Sequence, residues 1–458
     1  MPFPRLRPAA ALLCLAGAAP GHADMLTVER IFAAPDLSGP NLRSPQISPD
    51  SRRVTFLQGK ADNKDQLDLW EFDVASGRTR LLVDSRQLVA DEGRLSAEEE
   101  QRRERQRTSS LSGIVEYFFA PDGKALLFPL GGDLYHYDLS VPAARAVRRL
   151  TSTAAYETDA RFSPGGRYVS FVRDQNLYVI DLRDGRERAL TTDGGGVIQN
   201  GMAEFIAQEE MGRTTGYWWS PDERRIAFTR TDETPVQLRQ RFEISAEDVQ
   251  VIEQRYPATG TPNALVELKV LDLSSGRVVA VDLGPQRDIY LARVNWFPDG
   301  RSLAVQRQSR DQRTLDLLKV DAAKSNARTL LTETSPTWVE LHDELTFLDD
   351  RGQFIWASSR SGFKHLYLYD DDGTLVHPLT AGDWMVVGDG DERALLGVDR
   401  RRRAAYFVAN ETSPLERHLY RTSLDTKTPE RVQRITDEAG WHSIKLSADR
   451  RFFLKPTP

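Results

Sequence analysis

Glu209 and Glu210 are adjacent carboxylates at the end of the helix-compatible run Ala203-Glu204-Phe205-Ile206-Ala207-Gln208-Glu209-Glu210-Met211. Two carboxylates converging on one point bind a cation by charge-assisted hydrogen bonds, and the most natural cation is an ammonium. Adjacent carboxylates on a surface helix are also common as idle, solvated charge, so spacing alone leaves both uses open. A second charged stretch runs from Ser96 to Arg107. Ser96-x-x-Glu99 is a capping box. Glu98, Glu99 and Glu100 come first, and Arg102, Arg103, Arg105 and Arg107 follow. That order suits the helix dipole, and Glu98–Arg102 and Glu99–Arg103 stand four residues apart. With almost nothing apolar in it, the stretch is expected to be a solvated helix standing away from the sheets with self-paired charges. An arginine aimed at a ligand is the alternative. No H-E-x-x-H, phosphate-binding loop, dinucleotide fingerprint or G-x-S-x-G elbow occurs, so no cofactor, no metal and no catalytic residue is expected in this chain. His365 and His418 each precede a Leu-Tyr strand, which points to a structural role.

The elements that must position these groups repeat. An apolar residue, a small residue, Pro and Asp or Gly recur at Ile47-Ser48-Pro49-Asp50, Phe119-Ala120-Pro121-Asp122-Gly123, Phe162-Ser163-Pro164-Gly165-Gly166, Trp219-Ser220-Pro221-Asp222 and Trp296-Phe297-Pro298-Asp299-Gly300. Weaker copies centre on Asp349-Asp350, Asp399-Arg400 and Ala448-Asp449. Pro beside Asp pre-sets a type I turn, so each copy predicts a hairpin. Alternating strands such as Asp133-Leu134-Tyr135-His136-Tyr137-Asp138 and His365-Leu366-Tyr367-Leu368-Tyr369-Asp370 follow, then closing pairs such as Leu150-Thr151, Leu190-Thr191 and Leu379-Thr380. The turns are 72, 43, 57, 77, 51, 50 and 50 residues apart. The short steps are the size of a propeller blade, so the expected fold is all-β, an eight-bladed β-propeller with short helical insertions. A two-sheet sandwich array explains neither the step nor the strand order. After Asp449 nine residues remain, room for one more strand (Arg451 to Leu454), so the eighth blade is expected to be incomplete. The long steps carry the two charged segments above and an insertion from about Gln237 to Leu265, an extended excursion suited to the rim or another subunit.

At 458 residues the chain exceeds a single compact core, which the repeat explains. With 40% hydrophobic and 28% charged residues it suits an ordered protein, and a net charge of −6 argues against generic nucleic-acid binding. Arg5 and Arg7, the apolar run Ala9 to Ala19 and Gly21-His22-Ala23 read as a secretory leader over residues 1–23, leaving 24–458 as the propeller. No later segment is apolar enough to span a membrane. Cys14, the single cysteine, lies in that leader, which excludes disulfide and thiolate chemistry from the remainder. The expected location is periplasmic or secreted.

The run Ala203 to Arg230, with Gln208-Glu209-Glu210 and Tyr217-Trp218-Trp219-Ser220-Pro221-Asp222, resembles the propeller of bacterial dipeptidyl peptidase IV. So do Tyr256-Pro257 to Asn263, Asp288 to Val294, Gln306 to Asp316, Thr334 to Trp338 and Ser361 to Tyr367, in the same order and over nearly the whole chain to about residue 450. The resemblance implies a serine exopeptidase family that releases amino-terminal dipeptides with Pro or Ala in second position. It implies that Glu209 and Glu210 hold the substrate's free α-ammonium, and that a propeller arginine meets the substrate carbonyl, Arg107 being the best match and Arg105 the second. It further implies peptide substrates with a free amino terminus and a homodimer. The family's nucleophile, aspartate and histidine lie in an α/β-hydrolase domain that this sequence lacks, so the chain is expected to be inactive alone. A stand-alone periplasmic interaction propeller of TolB-like type is the alternative.

Overall fold

A computed structural model describes residues 26–33, 37, 42–90, 92–93, 95–348, 351–388 and 393–454. The leader with Cys14 and the turn at Asp349-Asp350 lie outside the described residues. The chain divides into two units, residues 1–41 and 42–458. In the first, helix α1 (Val28–Phe32) is N-capped by Thr27, whose hydroxyl accepts the Arg30 N–H at 3.2 Å.

The second unit is mostly β. Seven antiparallel meanders follow one another over residues 42–83, 118–149, 158–189, 198–280, 289–334, 346–378 and 395–434, each with a run of four strands in chain order; Ser112–Gly113 adds a parallel fifth strand to the first, and the first strand of the fourth is split in two. A hairpin of Lys445–Leu446 with Phe453–Leu454 follows. Each Pro-Asp turn joins the first two strands of its sheet. In the first copy the Ser48 hydroxyl donates to Asp50 Oδ1 at 2.6 Å and accepts the Arg53 N–H at 3.1 Å. The second residue after Pro is left-handed in every intact copy, including Gly123 (φ 71°), Gly166 (φ 75°) and Gly300 (φ 63°). That backbone conformation is why glycine recurs there.

The other two sequence patterns meet at a shared hydrogen-bonded latch. Thr151 Oγ1 accepts the Leu134 N–H at 2.9 Å and donates to Asp133 at 3.2 Å. Thr191 does the same for Leu177 and Asn176. Thr380 and Thr436 repeat it with His365 (3.0 Å) and His418 (2.9 Å). A Leu-Tyr strand and a closing Thr are thus two halves of one device, which ties the outermost strand's end to the third strand and satisfies a buried N–H. The tyrosines stack across the strand pair on aromatic partners: Phe128–Tyr135 at 5.7 Å, Phe171–Tyr178 at 5.6 Å and Phe407–Tyr420 at 6.0 Å.

Neighbouring sheets share apolar clusters. Leu127, Phe171 and Ile180 join the second to the third, and Phe354, Leu315 and Trp356 join the fifth to the sixth. Tyr406, Leu419, Ile444 and Phe453 join the seventh to the terminal hairpin. Strand Lys445–Leu446 lies beside both Leu395–Asp399 and Leu42–Ile47. A linear series of small sheets, each burying its faces against its neighbours, is consistent with a β-propeller domain.

The fourth sheet carries two interruptions. Its inserted hairpin, Leu238–Ile244 with Val249–Arg255, confirms an extended excursion. Helices α2 (Ser85–Leu88) and α3 (Ala97–Arg105) lie between the first and second sheets, and α4 (Phe205–Glu209) interrupts the first strand of the fourth.

Candidate functional site

Helix α4 leaves and re-enters its strand at one point. Strands Ile198–Asn200 and Tyr217–Trp219 pair with the same strand, Arg225–Asp232, on either side of Thr229. Thr229 receives the Gly201 N–H and gives its own N–H to the Gly216 carbonyl, both at 2.8 Å, while its hydroxyl donates to Met202 O at 2.7 Å. A Cβ at Gly216 would stand 2.4 Å from Met202 backbone atoms, so glycine is what lets the two stems close.

Buried charges hold the helix. The Glu204 carboxylate caps its start, accepting from Ile206 N–H at 2.6 Å and Ala207 N–H at 2.9 Å. Burial pushes that carboxyl up, opposed mainly by Arg213. The Arg213 guanidinium, buried and itself pushed down to about 10 by burial, donates to Leu291 O at 3.1 Å and Thr215 O at 2.7 Å. The Arg213 N–H also bonds Ala207 O at 2.8 Å. Sequence reasoning missed both groups, because a lone Glu and a lone Arg nine residues apart carry no recognisable spacing.

Helix α3 differs from the solvated helix its composition predicts. Ser96 does cap it, accepting the Glu99 N–H at 3.3 Å, but Glu99 and Arg103 are only 2% and 4% exposed. They pair at 2.8 Å, the expected i,i+4 contact. Arg102 pairs with Glu116 and Glu99 instead of Glu98. The helix is thus docked by its charged side, because buried arginines find buried carboxylates instead of apolar partners.

This docking delivers Arg105 to α4. Arg105 Nε donates to Glu209 Oε1 at 3.0 Å, and its guanidinium carbon lies 5.2 Å from the Phe205 ring centre. Arg107 lies past the helix end, exposed, with φ 56°, and its side chain makes no hydrogen bond or ion pair among the described residues. The structure therefore brings together Glu209 and Arg105, two of the sequence-derived residues, and leaves Arg107 outside that contact. Glu210, exposed at the helix end, lines a cavity of about 730 Å³ with Tyr290, Arg293, His342, Glu344 and Lys364. Arg105 lines a second cavity of about 310 Å³ with Phe205 and Gln208.

The larger cavity has a polar floor. Burial would raise the Glu344 carboxyl, yet His342, Lys364 and the Ala394 N–H together hold it well below the usual range. His342 is buried against Trp356, with Nδ1 3.5 Å from Glu344 Oε2. Glu210 and a mixed-charge wall thus face the larger cavity, while Arg105 faces the smaller one and meets Glu209 at the end of α4. His365 and His418 belong to the strand latches. Among the described residues no three His, Cys, Asp or Glu side chains are grouped as metal ligands, and no helix is long and apolar enough to cross a membrane.

Comparison with known proteins gives consistent matches. The family described as Dipeptidyl peptidase IV (DPP IV) N-terminal region matches residues 120–456. Dipeptidyl peptidase 8 of Mus musculus is 27% identical over 503 residues, covering 90% of this chain and 56% of that protein. A probable dipeptidyl peptidase 4 of Arthroderma benhamiae is 25% identical over 368 residues, covering 75% and 46%. The crystal structure of Porphyromonas gingivalis dipeptidyl peptidase 4 superposes with a TM-score of 0.71 at 24% identity, over 90% of this chain and 56% of that one. The last likeness is one of fold. The chain spans about half the length of the curated relatives it matches.

Proposed function

The chain belongs to the dipeptidyl peptidase IV N-terminal region family, and from that premise we propose that it is the substrate-recognition propeller of a dipeptidyl peptidase-like serine exopeptidase. The seven meanders and the terminal hairpin count as eight blades. Glu209 and Glu210 bind the free α-ammonium of a peptide, and the peptides are those with Pro or Ala in second position. The observation that carries this reading is the Arg105–Glu209 contact at 3.0 Å. It holds one carboxylate of the pair at the helix end while Glu210 faces the larger cavity. An arriving ammonium would take the remaining acceptor capacity of Glu209 together with Glu210, each hydrogen bond to the charged group contributing about 1.5–3 kcal/mol. Arg105 is the carbonyl-facing arginine in this reading, because it stands beside Glu209, whereas Arg107 lies outside that contact.

The 458 residues contain no G-x-S-x-G elbow, so this polypeptide by itself is proposed to bind and not to cleave. Purified chain should not hydrolyse Gly-Pro-anilide; turnover that copurifies with it would refute this. We also place the protein in the periplasm or outside the cell. Phe242, Ile244, Val249 and Val251 project exposed from the inserted hairpin, which supports a homodimer through that arm. The packing of the terminal hairpin between two sheets favours a second reading, an independently folded interaction propeller of TolB-like type. Peptide binding that ignores the free amino terminus would favour it.

A further inference from the structure

We propose that the strand turns where the seventh sheet, the terminal hairpin and the first sheet meet form a docking surface for the phosphate headgroups of an anionic membrane. The segments 399–403, 447–451 and 48–53 are equivalent first turns of three neighbouring sheets; together they hold eight arginines against three aspartates, and of those arginines Arg53 pairs with Glu71, Arg403 with Asp425 and Arg402 with Asp399. The protein as a whole has a net charge of −6, so this sector is a local reversal.

The turns touch. A Cβ on Gly397 would lie 3.7 Å from Arg450 Nε, and Ser51 is near enough to Asp449 to help hold its carboxyl below the usual range, after Ser447 and the Arg451 N–H. The three carboxylates are turned onto their own backbones. Asp50 accepts the Arg52 N–H at 3.1 Å, Asp399 the Arg402 N–H at 3.0 Å, and Asp449 the Arg451 N–H at 3.1 Å. What remains outward is basic. Arg52, Arg401 and Arg451, one from each turn, are exposed, and their side chains make no hydrogen bond or ion pair among the described residues. Arginine forks match phosphate oxygens bidentately.

The spacing selects the ligand. Neighbouring sheets lie about 10 Å apart, so three successive turns spread the guanidiniums over roughly 20 Å. One phosphate cannot reach all three, whereas a plane of headgroups can. No aromatic side chain occurs in these three segments to stack nucleobases. The first-to-second-strand turns also lie at the opposite strand ends from the loops after the second strands, which carry the inserted hairpin and Arg310 of the larger cavity. Docking here would leave both cavities open.

The test is co-sedimentation of the whole chain with vesicles of phosphatidylcholine mixed with phosphatidylglycerol, against phosphatidylcholine alone. Binding should occur only with the anionic lipid and weaken as salt rises from about 0.01 to about 0.15 M. The R52Q/R401Q/R451Q variant should lose a factor of about five in affinity per guanidinium with an unchanged melting point. Single substitutions, each lowering affinity about fivefold, keep the test decisive if the triple variant is less stable. Absence of binding, equal binding to both vesicles or undiminished binding by the variants would overturn the proposal. So would tighter binding to duplex DNA than to the anionic vesicles at the same salt. Peptide binding is untouched by any of these outcomes, so this inference fails or stands apart from the proposed recognition role.

Discussion

Replacing Arg213 with methionine should destabilise the fourth sheet and displace α4. The guanidinium is 4% exposed, donates to Leu291 O and Thr215 O, and is the main charge opposing the burial of Glu204. Methionine fills a similar volume but leaves two carbonyl acceptors without their donor and the buried Glu204 carboxylate without the charge that opposes its burial. Removing one partner of a buried charged set costs about 3–5 kcal/mol. Spread over a domain of this size, that is a fall of roughly 4–6 °C in Tm. Denaturant unfolding followed by tryptophan fluorescence reads the loss directly, since Trp218 lies 5.9 Å from the guanidinium carbon. The double variant E204Q/R213M should recover part of the loss, because glutamine caps the helix without a buried charge. A change below about 1 kcal/mol in R213M, or strict additivity in the double variant, would show that Arg213 does not hold the helix through Glu204.

Burial holds His365 below its ordinary pKa, so its neutral form is the folded form. The unfolded chain then binds more protons, and stability present above about pH 6.5 should decline as pH falls below it. Urea midpoints at the two ends of that range should differ, and H365N should shrink the difference. Thr380→Val removes the acceptor of the Leu366 N–H and the partner of His365, and should cost about 1–3 kcal/mol in urea unfolding. F242S/I244S should turn a dimeric elution in size-exclusion chromatography into a monomeric one; a wild-type chain that elutes as a monomer would remove the dimer from the account.

Much of the architecture was legible because turns, latches and aromatic stacks repeat in register. Ser-Pro-Asp marks the first hairpin because each of its three side chains has a job in one turn, and even the degenerate copy at Ala448-Asp449 keeps the aspartate cap. The Leu-Tyr and Leu-Thr patterns were recognisable as strands, but their shared latch was not, since it joins residues 14 to 18 apart through a hydroxyl. Helix α3 misled for a definable reason. Its charges looked solvated because helical spacing says nothing about Glu116, which lies beyond the helix in sequence and pairs with Arg102. For the same reason the sequence resemblance puts Arg107 ahead of Arg105, whereas the helix ends between them, Arg105 meets Glu209 and a left-handed residue sends the chain away at Arg107. Glu209 and Glu210 stood out as a pair, yet the glycine at 216 and the buried Glu204–Arg213 set that present them had no local signature.

The central claim is that the carboxylates of α4 read a free amino terminus. Titration of the isotope-labelled chain with Gly-Pro-Xaa peptides, followed by NMR at Glu209 and Glu210, tests it most directly. The account predicts saturable shifts with the free peptide, none with its amino-acetylated form, and none in E209Q/E210Q. Equal shifts from the acetylated peptide, or shifts that persist in the double variant, would contradict it.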